Sequence, residues 1–167
     1  MDIFYEYMVM KEKKPIDYII ALTASLLSAV LTVLIYTFNG YLFGFDILLI
    51  AGVWFLMFRI VKARNVEYEY CLTNNEMDID RIAGKRKRTH VITVDFKNID
   101  ICAAISDKEH YVTPPQKVLE LIGYSDYEVY FADLYYNGEK TRVLFHMTDK
   151  MKENIKTINP MRVYISW

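Results

Sequence analysis

The side chains able to do chemistry are few and widely scattered. His90, His110 and His146 are the only three histidines in 167 residues, and their spacing fits no metal-ligand pattern. Cys71 and Cys102 are the only two cysteines; they sit in apolar or strand-like surroundings and form no CxxC or Cys/His cluster, so the expectation is a pair of buried, reduced thiols. Asp78 and Asp80, two apart on a strand, share one face, and a charged solvent face accounts for them without acid–base catalysis. The chain lacks GxSxG, HExxH, GxxxxGK[ST] and GxGxxG, and with them the nucleophile elbow, the zinc site and the phosphate-cradling loops. The reading is that of a protein that is not an enzyme and takes no metal or cofactor. One cluster of a single sign stands out, Lys85-Arg86-Lys87-Arg88. Four adjacent cations on a turn suit contact with anionic lipid or with a partner; the alternative is a solvated hairpin tip whose charges deter edge-to-edge association.

The elements that place these residues divide at about Asn65. No charged residue occurs from Tyr18 to Phe45, a run of 28 positions. Overlapping it, 16–38 is long enough, at about 1.5 Å per residue, to cross the roughly 30 Å hydrocarbon core of a bilayer. A second apolar stretch, 42–61, matches a crossing again, and the short link around Asn39-Gly40-Tyr41 makes the two an antiparallel hairpin over 16–61. The first stretch is too long for the apolar core of a cleaved signal peptide and is followed by no AxA-like site. Small residues at Ala21, Ser25 and Ala29, with Ser28 and Thr32 beside them, and at Ala51 and Gly52, allow close helix approach, within the hairpin or between copies of it. Tyr18, Tyr36, Tyr41 and Phe43 read as interfacial anchors. Asp46 lies in the first turn of the second helix, where a carboxylate suits the helix N-terminus; lining an ion path is its other reading. The opening segment, residues 1–15, has Ile3, Phe4, Tyr7 and Met8 on one side of a short amphipathic helix, which would lie on the membrane or pack on the soluble domain.

Residues 65–167 carry 14 basic and 16 acidic side chains, enough chain for one small domain. VEYEYCLT alternates with period two, placing Val66, Tyr68, Tyr70 and Leu72 inward and Glu67 and Glu69 outward. Asn74-Asn75 turns the chain into EMDIDRIA, and Gly84 opens the basic turn into HVITVDF, a three-stranded meander. Ile99 and Ile101 start a further short strand. Thr113-Pro114-Pro115-Gln116 has the form of a helix start, with Val118, Leu119 and Ile122 facing the core and Gly123 as the stop. Tyr127 to Tyr136 and the KTRVLFHM segment flank Asn137-Gly138, a strong hairpin signal. Thr148 then caps an amphipathic helix bearing Met151, Ile155 and Ile158, stopped by Pro160.

The stretch from Val66 to Ile101, an aromatic strand ending in Leu-Thr, a turn, a second strand, a basic run and an apolar strand, resembles the opening of bacterial pleckstrin-homology-like domains. With its MDIFYEYMV start and RNVEYEY junction, the whole chain is similar to a family of two-span membrane proteins of Gram-positive, clostridial-type bacteria. The expected fold class is therefore α+β: a two-helix transmembrane hairpin followed by a pleckstrin-homology-like antiparallel β domain with a C-terminal amphipathic helix. The Thr113 helix departs from that pattern. The function expected is a noncatalytic, membrane-anchored binding or scaffold module touching protein or anionic lipid; the alternative is a small transport or channel component assembled from the hairpins. The bilayer, an unidentified protein and further copies of the chain are the expected partners. Nucleic acid is not, because the net charge is −1 and bulk attraction to phosphate is missing.

Lys11, Lys13 and Lys14 precede the first helix, Arg59, Lys62 and Arg64 close the second, and the link between them has no cation, so both termini are expected on the cytoplasmic side of the cell membrane. Single cysteines at Gly40 and at Asn137 test this with an impermeant reagent on intact cells. Gly40 should label and Asn137 should not; the reverse pattern inverts the orientation.

Overall fold

The computed structural model describes residues 3–38, 44–107, 109–110 and 114–165. The chain forms two compact units: residues 1–12, 67–82 and 86–167 make one, and residues 13–66 and 83–85 the other.

The larger unit is built on two sheets. β1 (Phe4–Met10), β2 (Val66–Thr73), β3 (Glu76–Ala83) and β4 (Lys87–Asp95) form the first, in that order. The second comprises β5 (Ile101–Ala104), β6 (Lys117–Glu120), β7 (Val129–Tyr136), β8 (Glu139–His146) and β9 (Val163–Tyr164), ordered β6-β8-β7-β5-β9, with helix α3 (Asp149–Ile158) between β8 and β9. Turn chemistry sets the hairpins. Asn74, at φ 53°, joins β2 to β3, and Asn137-Gly138, at φ 51° and 83°, joins β7 to β8, the left-handed conformations that match the twist of paired strands. Tyr70, Leu72, Met77, Ile79, Ile92, Val94 and Phe96 are fully buried, as the period-two pattern requires. Phe96 meets Phe145 edge-on at 6.3 Å. Thr148 caps α3 by accepting from the Met151 N–H, and Met151 and Ile155 are buried.

Four sequence expectations are corrected here. The opening segment is a strand, not a helix: β1 pairs antiparallel with β2, from Phe4 opposite Thr73 to Met10 opposite Glu67. Its spacing suits both periods, but the edge of β2 offers backbone partners that a surface helix could not satisfy. Tyr7 and Val9 turn inward, Val9 buried and the Tyr7 ring edge-on to Tyr127 at 5.3 Å. The sheet domain therefore does not begin at 65. Second, Lys117–Glu120 is a strand parallel to β8, where a helix was expected; Thr113 lies outside the described residues. Pro115 disfavours helical geometry at Pro114, and Gln116 exchanges hydrogen bonds with Lys140, main chain to main chain at 3.0 Å and Lys140 N–H to Gln116 Oε1 at 3.1 Å, which feeds the chain into the ladder. Third, the second sheet is mixed, because β9 also runs parallel, beside β5. Fourth, Glu67 and Glu69 are buried rather than solvated.

Asp133 and Arg142 sit opposite one another on β7 and β8. They form a two-pronged pair, Nε to Oδ1 at 2.6 Å and an Nη to Oδ2 at 2.7 Å. Both are almost wholly buried, and the guanidinium lies 4.5 Å above the Phe131 ring.

The smaller unit holds two helices, α1 (Pro15–Thr37) and α2 (Asp46–Ala63). Pro15 takes the first helical position of α1, and Asp17 accepts from the Lys14 N–H at 3.0 Å, a start suited to both residues. Of the two, α1 alone is long and apolar enough to cross a membrane by length and composition. The second helix starts at Asp46, after Gly44 at φ 86°, rather than at 42, and carries Asp46, Arg59 and Lys62. The helices run antiparallel: Trp54 Nε1 donates to Thr32 Oγ1 at 3.2 Å, and at the other end Arg64 Nε donates to Asp17 Oδ1 at 2.7 Å. Ser28 is buried between them. Of the small residues singled out by spacing, Ala21 is half-buried, whereas Ser25, Ala29, Ala51 and Gly52 are exposed. The contact stripe is offset because Trp54 needs a hydrogen-bonding partner, which Thr32 supplies. The link, with Tyr41 and Phe43, lies outside the described residues.

Two stability experiments follow. Because Met10 and Glu67 are strand partners, residues 1–12 joined by a short Gly-Ser linker to residues 66–167 should melt cooperatively, and residues 66–167 alone should not; equal melting of the two would remove β1 from the fold. In the linked domain Asp133→Ala should cost about 3–5 kcal/mol by removing the two-pronged carboxylate partner of a buried cation, while Asp133→Leu with Arg142→Met should recover most of that, measured by urea unfolding.

Candidate functional site: the basic turn between β3 and β4

Gly84 and Lys85 both take left-handed backbone, at φ 60° and 58°. The Gly84 N–H donates to the Asn65 carbonyl at 2.7 Å, and a Cβ at Gly84 would stand 3.0 Å from the Lys62 carbonyl oxygen. A glycine is thus required by both conformation and space. These contacts lie within the smaller unit and fix the turn to the C-terminal end of α2, where the helix dipole favours cations. Lys85, Arg86 and Lys87 are exposed.

Arg88 has a different role from its three neighbours. It pairs with Glu69 and with Asp80, the latter at 3.4 Å, neutralising a carboxylate whose side chain is only 8% exposed. Asp80 also meets His90 Nδ1 at 3.0 Å, and Thr93 donates to Asp78 at 2.5 Å. The basic run is therefore three outward cations and one structural one. The acid pair on β3, expected to be a solvated face, is taken up by hydrogen bonds from β4.

The remaining reactive groups are each engaged. His110 Nδ1 lies 2.7 Å from Asp107, and its ring stacks on Tyr164 at 3.8 Å; the hydrogen bond to His110 holds the Asp107 carboxyl below its usual range. These two border an open cavity of about 620 Å³ that also touches Ser106 and Lys156. There Ser106 donates to the Glu128 carboxylate, and Lys156 donates to the Ile165 carbonyl. Burial pushes the Cys102 thiol up to about 12, aided by the Asp133 charge, and raises Cys71 as well. Neither is poised as a thiolate. His146 is buried between two main-chain carbonyls. Among the described residues no group of His, Cys, Asp and Glu is arranged to hold a metal. Asp46 sits in the first turn of α2. The seat of the turn on Asn65 was invisible in the sequence, where Gly84 was the only available signal.

Two packed sheets closed by a terminal helix define a pleckstrin-homology-like domain, a class that generally works by binding rather than by catalysis. The chain belongs to the family described as Bacterial PH-like domain (DUF6106), which matches residues 1–165 and so takes in β1 and both helices as well as the sheets. Comparisons with curated proteins and with solved structures gave no match.

Proposed function

We propose that the chain is a noncatalytic, membrane-anchored binding module whose cytoplasmic PH-like domain meets the headgroups of anionic lipids through Lys85, Arg86 and Lys87. The observation that carries the reading is the pairing of Met10 with Glu67 in one sheet. Everything between them is a closed excursion. If α1 crosses a bilayer, the chain must return, since a single crossing would put β1 and β2 on opposite sides. The second helix, 18 residues or about 27 Å long, serves as the return, and Arg59 and Lys62 lie near its C-terminal end, where long side chains reach the interface.

Asp17 and Arg64 join the start of α1 to the end of α2, so Lys13, Lys14, Lys62 and Arg64 gather at one end of the pair, the cytoplasmic one by the distribution of cations. The Gly84-Lys85 turn is seated on that same end. Each exposed cation there gains on the order of 1 kcal/mol at an anionic leaflet. The net charge of residues 66–167, −2 from 14 basic and 16 acidic side chains, opposes nonspecific attraction, so within the sheet domain the attraction must come from the turn.

Full-length protein in phosphatidylcholine bilayers should immobilise trace spin-labelled phosphatidylglycerol in excess over spin-labelled phosphatidylcholine. The excess should fall with added salt, because screening acts over about 10 Å at 0.1 M. It should fall clearly, leaving only the share of the cations that flank the helices, in the triple variant Lys85→Ser, Arg86→Ser, Lys87→Ser. Arg88 is left in place because its removal would strand Glu69. An unchanged excess in the variant would return the turn to a solvated hairpin tip.

A further inference from the structure

We propose that the outer edge of β1 is a docking site for an extended peptide segment that carries a lysine or arginine opposite Glu6 and apolar side chains two residues to either side of that cation. β1 is the outermost strand of its sheet. Asn74 donates to the Ile3 carbonyl at 3.0 Å, and by the alternation of an antiparallel ladder Tyr5, Tyr7 and Val9 then exchange main-chain bonds with β2. The N–H and C=O groups of Phe4, Glu6 and Met8 therefore point away from the sheet. Met10 points the same way, and its carbonyl accepts from the Tyr124 N–H at 2.8 Å. A Cβ at Gly123 would stand 2.1 Å from that same oxygen, so the chain at 123–124 closes one end of the edge. From Phe4 to Met8 no strand among the described residues pairs with it.

This edge lacks the usual guards against strand addition. No proline or lysine interrupts Phe4–Met10, and its register with β2 runs unbroken, without a bulge. A flat edge of this kind is a template for another strand. On its outward side-chain face Phe4 is 60% exposed and Met8 45%, with Glu6 between them. Alternate side chains of an added strand stand opposite these three. A bilayer would cover the two apolar side chains but would leave the main-chain groups without partners. An added strand satisfies both.

Charge selects the occupant. In the same sheet Glu69 and Asp80 are held by Arg88, and Asp78 accepts from Thr93, whereas Glu6 is exposed and has no cation beside it among the described residues. A second copy adding antiparallel with Phe4 opposite Met8 would set its own Glu6 directly against this one, a repulsive pair. Sliding the copy toward Met10 meets a carbonyl already taken by Tyr124. A lysine or arginine at the central position turns the repulsion into attraction, so Glu6 disfavours self-pairing and acidic segments while admitting a basic one. β1 and β4 are opposite edges of the sheet, and the site makes no use of the basic turn, so it stands or falls separately from the lipid contact.

The test uses full-length protein in phosphatidylcholine nanodiscs, with amide exchange read residue by residue. A probe strand, Thr-Val-Thr-Lys-Thr-Val-Thr, is fused ahead of Met1 through a flexible Gly-Ser linker, which holds it near the edge at high effective concentration. Without the probe, the amides of Tyr5, Tyr7 and Val9 should be protected and those of Phe4, Glu6 and Met8 should exchange freely. The probe should protect these three as well. Replacing its lysine with glutamate should cut that protection about fivefold, the scale of exchanging an attractive cross-strand pair for a repulsive one. In Glu6→Lys, a change at an exposed side chain, the preference should reverse. Equal protection by the two probes overturns the proposal. So does protection of the three outward amides without any probe, which would give the edge to a second copy if it grows with protein density in the disc and to the bilayer or the chain itself if it does not.

Discussion

The antiparallel pairing of β1 with β2 holds together the two ends of the helical excursion, and the rest of the structure depends on it. The segment before α1 and the segment after α2 become neighbours in one sheet, with Met10 opposite Glu67. The entropy of closing so long an insertion rises only slowly with its length. Much of it is offset within the smaller unit, where the antiparallel packing of α1 on α2 and the Asp17–Arg64 pair already bring the ends of the excursion together. The consequence is directional: helices inserted between two adjacent strands cannot cross a bilayer an odd number of times.

Charge is sorted by burial in the same economical way. Arg142 and Asp133 meet in the interior with two-pronged geometry, where either alone would cost several kcal/mol. Arg88 is more exposed, yet it neutralises the buried Glu69, so its value lies in what its loss would leave behind. All four members of the basic run are exposed, but Arg88 is the one committed to carboxylates, Glu69 and Asp80. The turn that carries them is held by backbone contacts at Gly84, Asn65 and Lys62. In the lipid contact proposed for this turn, the binding energy is spread over several weak, screened contacts.

Glycines at 84 and 123 are both required, for different reasons. At Gly84 the backbone is left-handed and the space is tight; at Gly123 only the space is tight, because a main-chain oxygen of β1 passes where a side chain would be. In each case the missing side chain lets two main chains approach, and the approach joins elements far apart in sequence. Reading Gly123 as a helix stop mistook close packing for a change of backbone direction.

What the amino-acid order determined by itself is what depends on neighbours in the chain. The period-two runs of β2 to β4, the Asn137-Gly138 hairpin, the Thr148-capped helix and the apolar length of α1 were all legible, because hydrophobic periodicity and turn chemistry act over a few residues. Tertiary structure decided what depends on partners distant in sequence. MDIFYEYMVM fits a helix and a strand equally well until the free edge of β2 supplies backbone partners. Lys117–Glu120 is a strand because Lys140 captures Gln116. Among the small residues of α1 that the sequence offers together, Thr32 is the one that meets α2, because Trp54 requires a hydrogen-bond acceptor there, and Ser28 is buried whereas Ser25 and Ala29 are exposed. Arg88 was separated from its three basic neighbours by a glutamate on another strand, and nothing in the local sequence of either residue carries that pairing, because a hydrogen-bonding partner across a sheet is set by register and not by proximity along the chain.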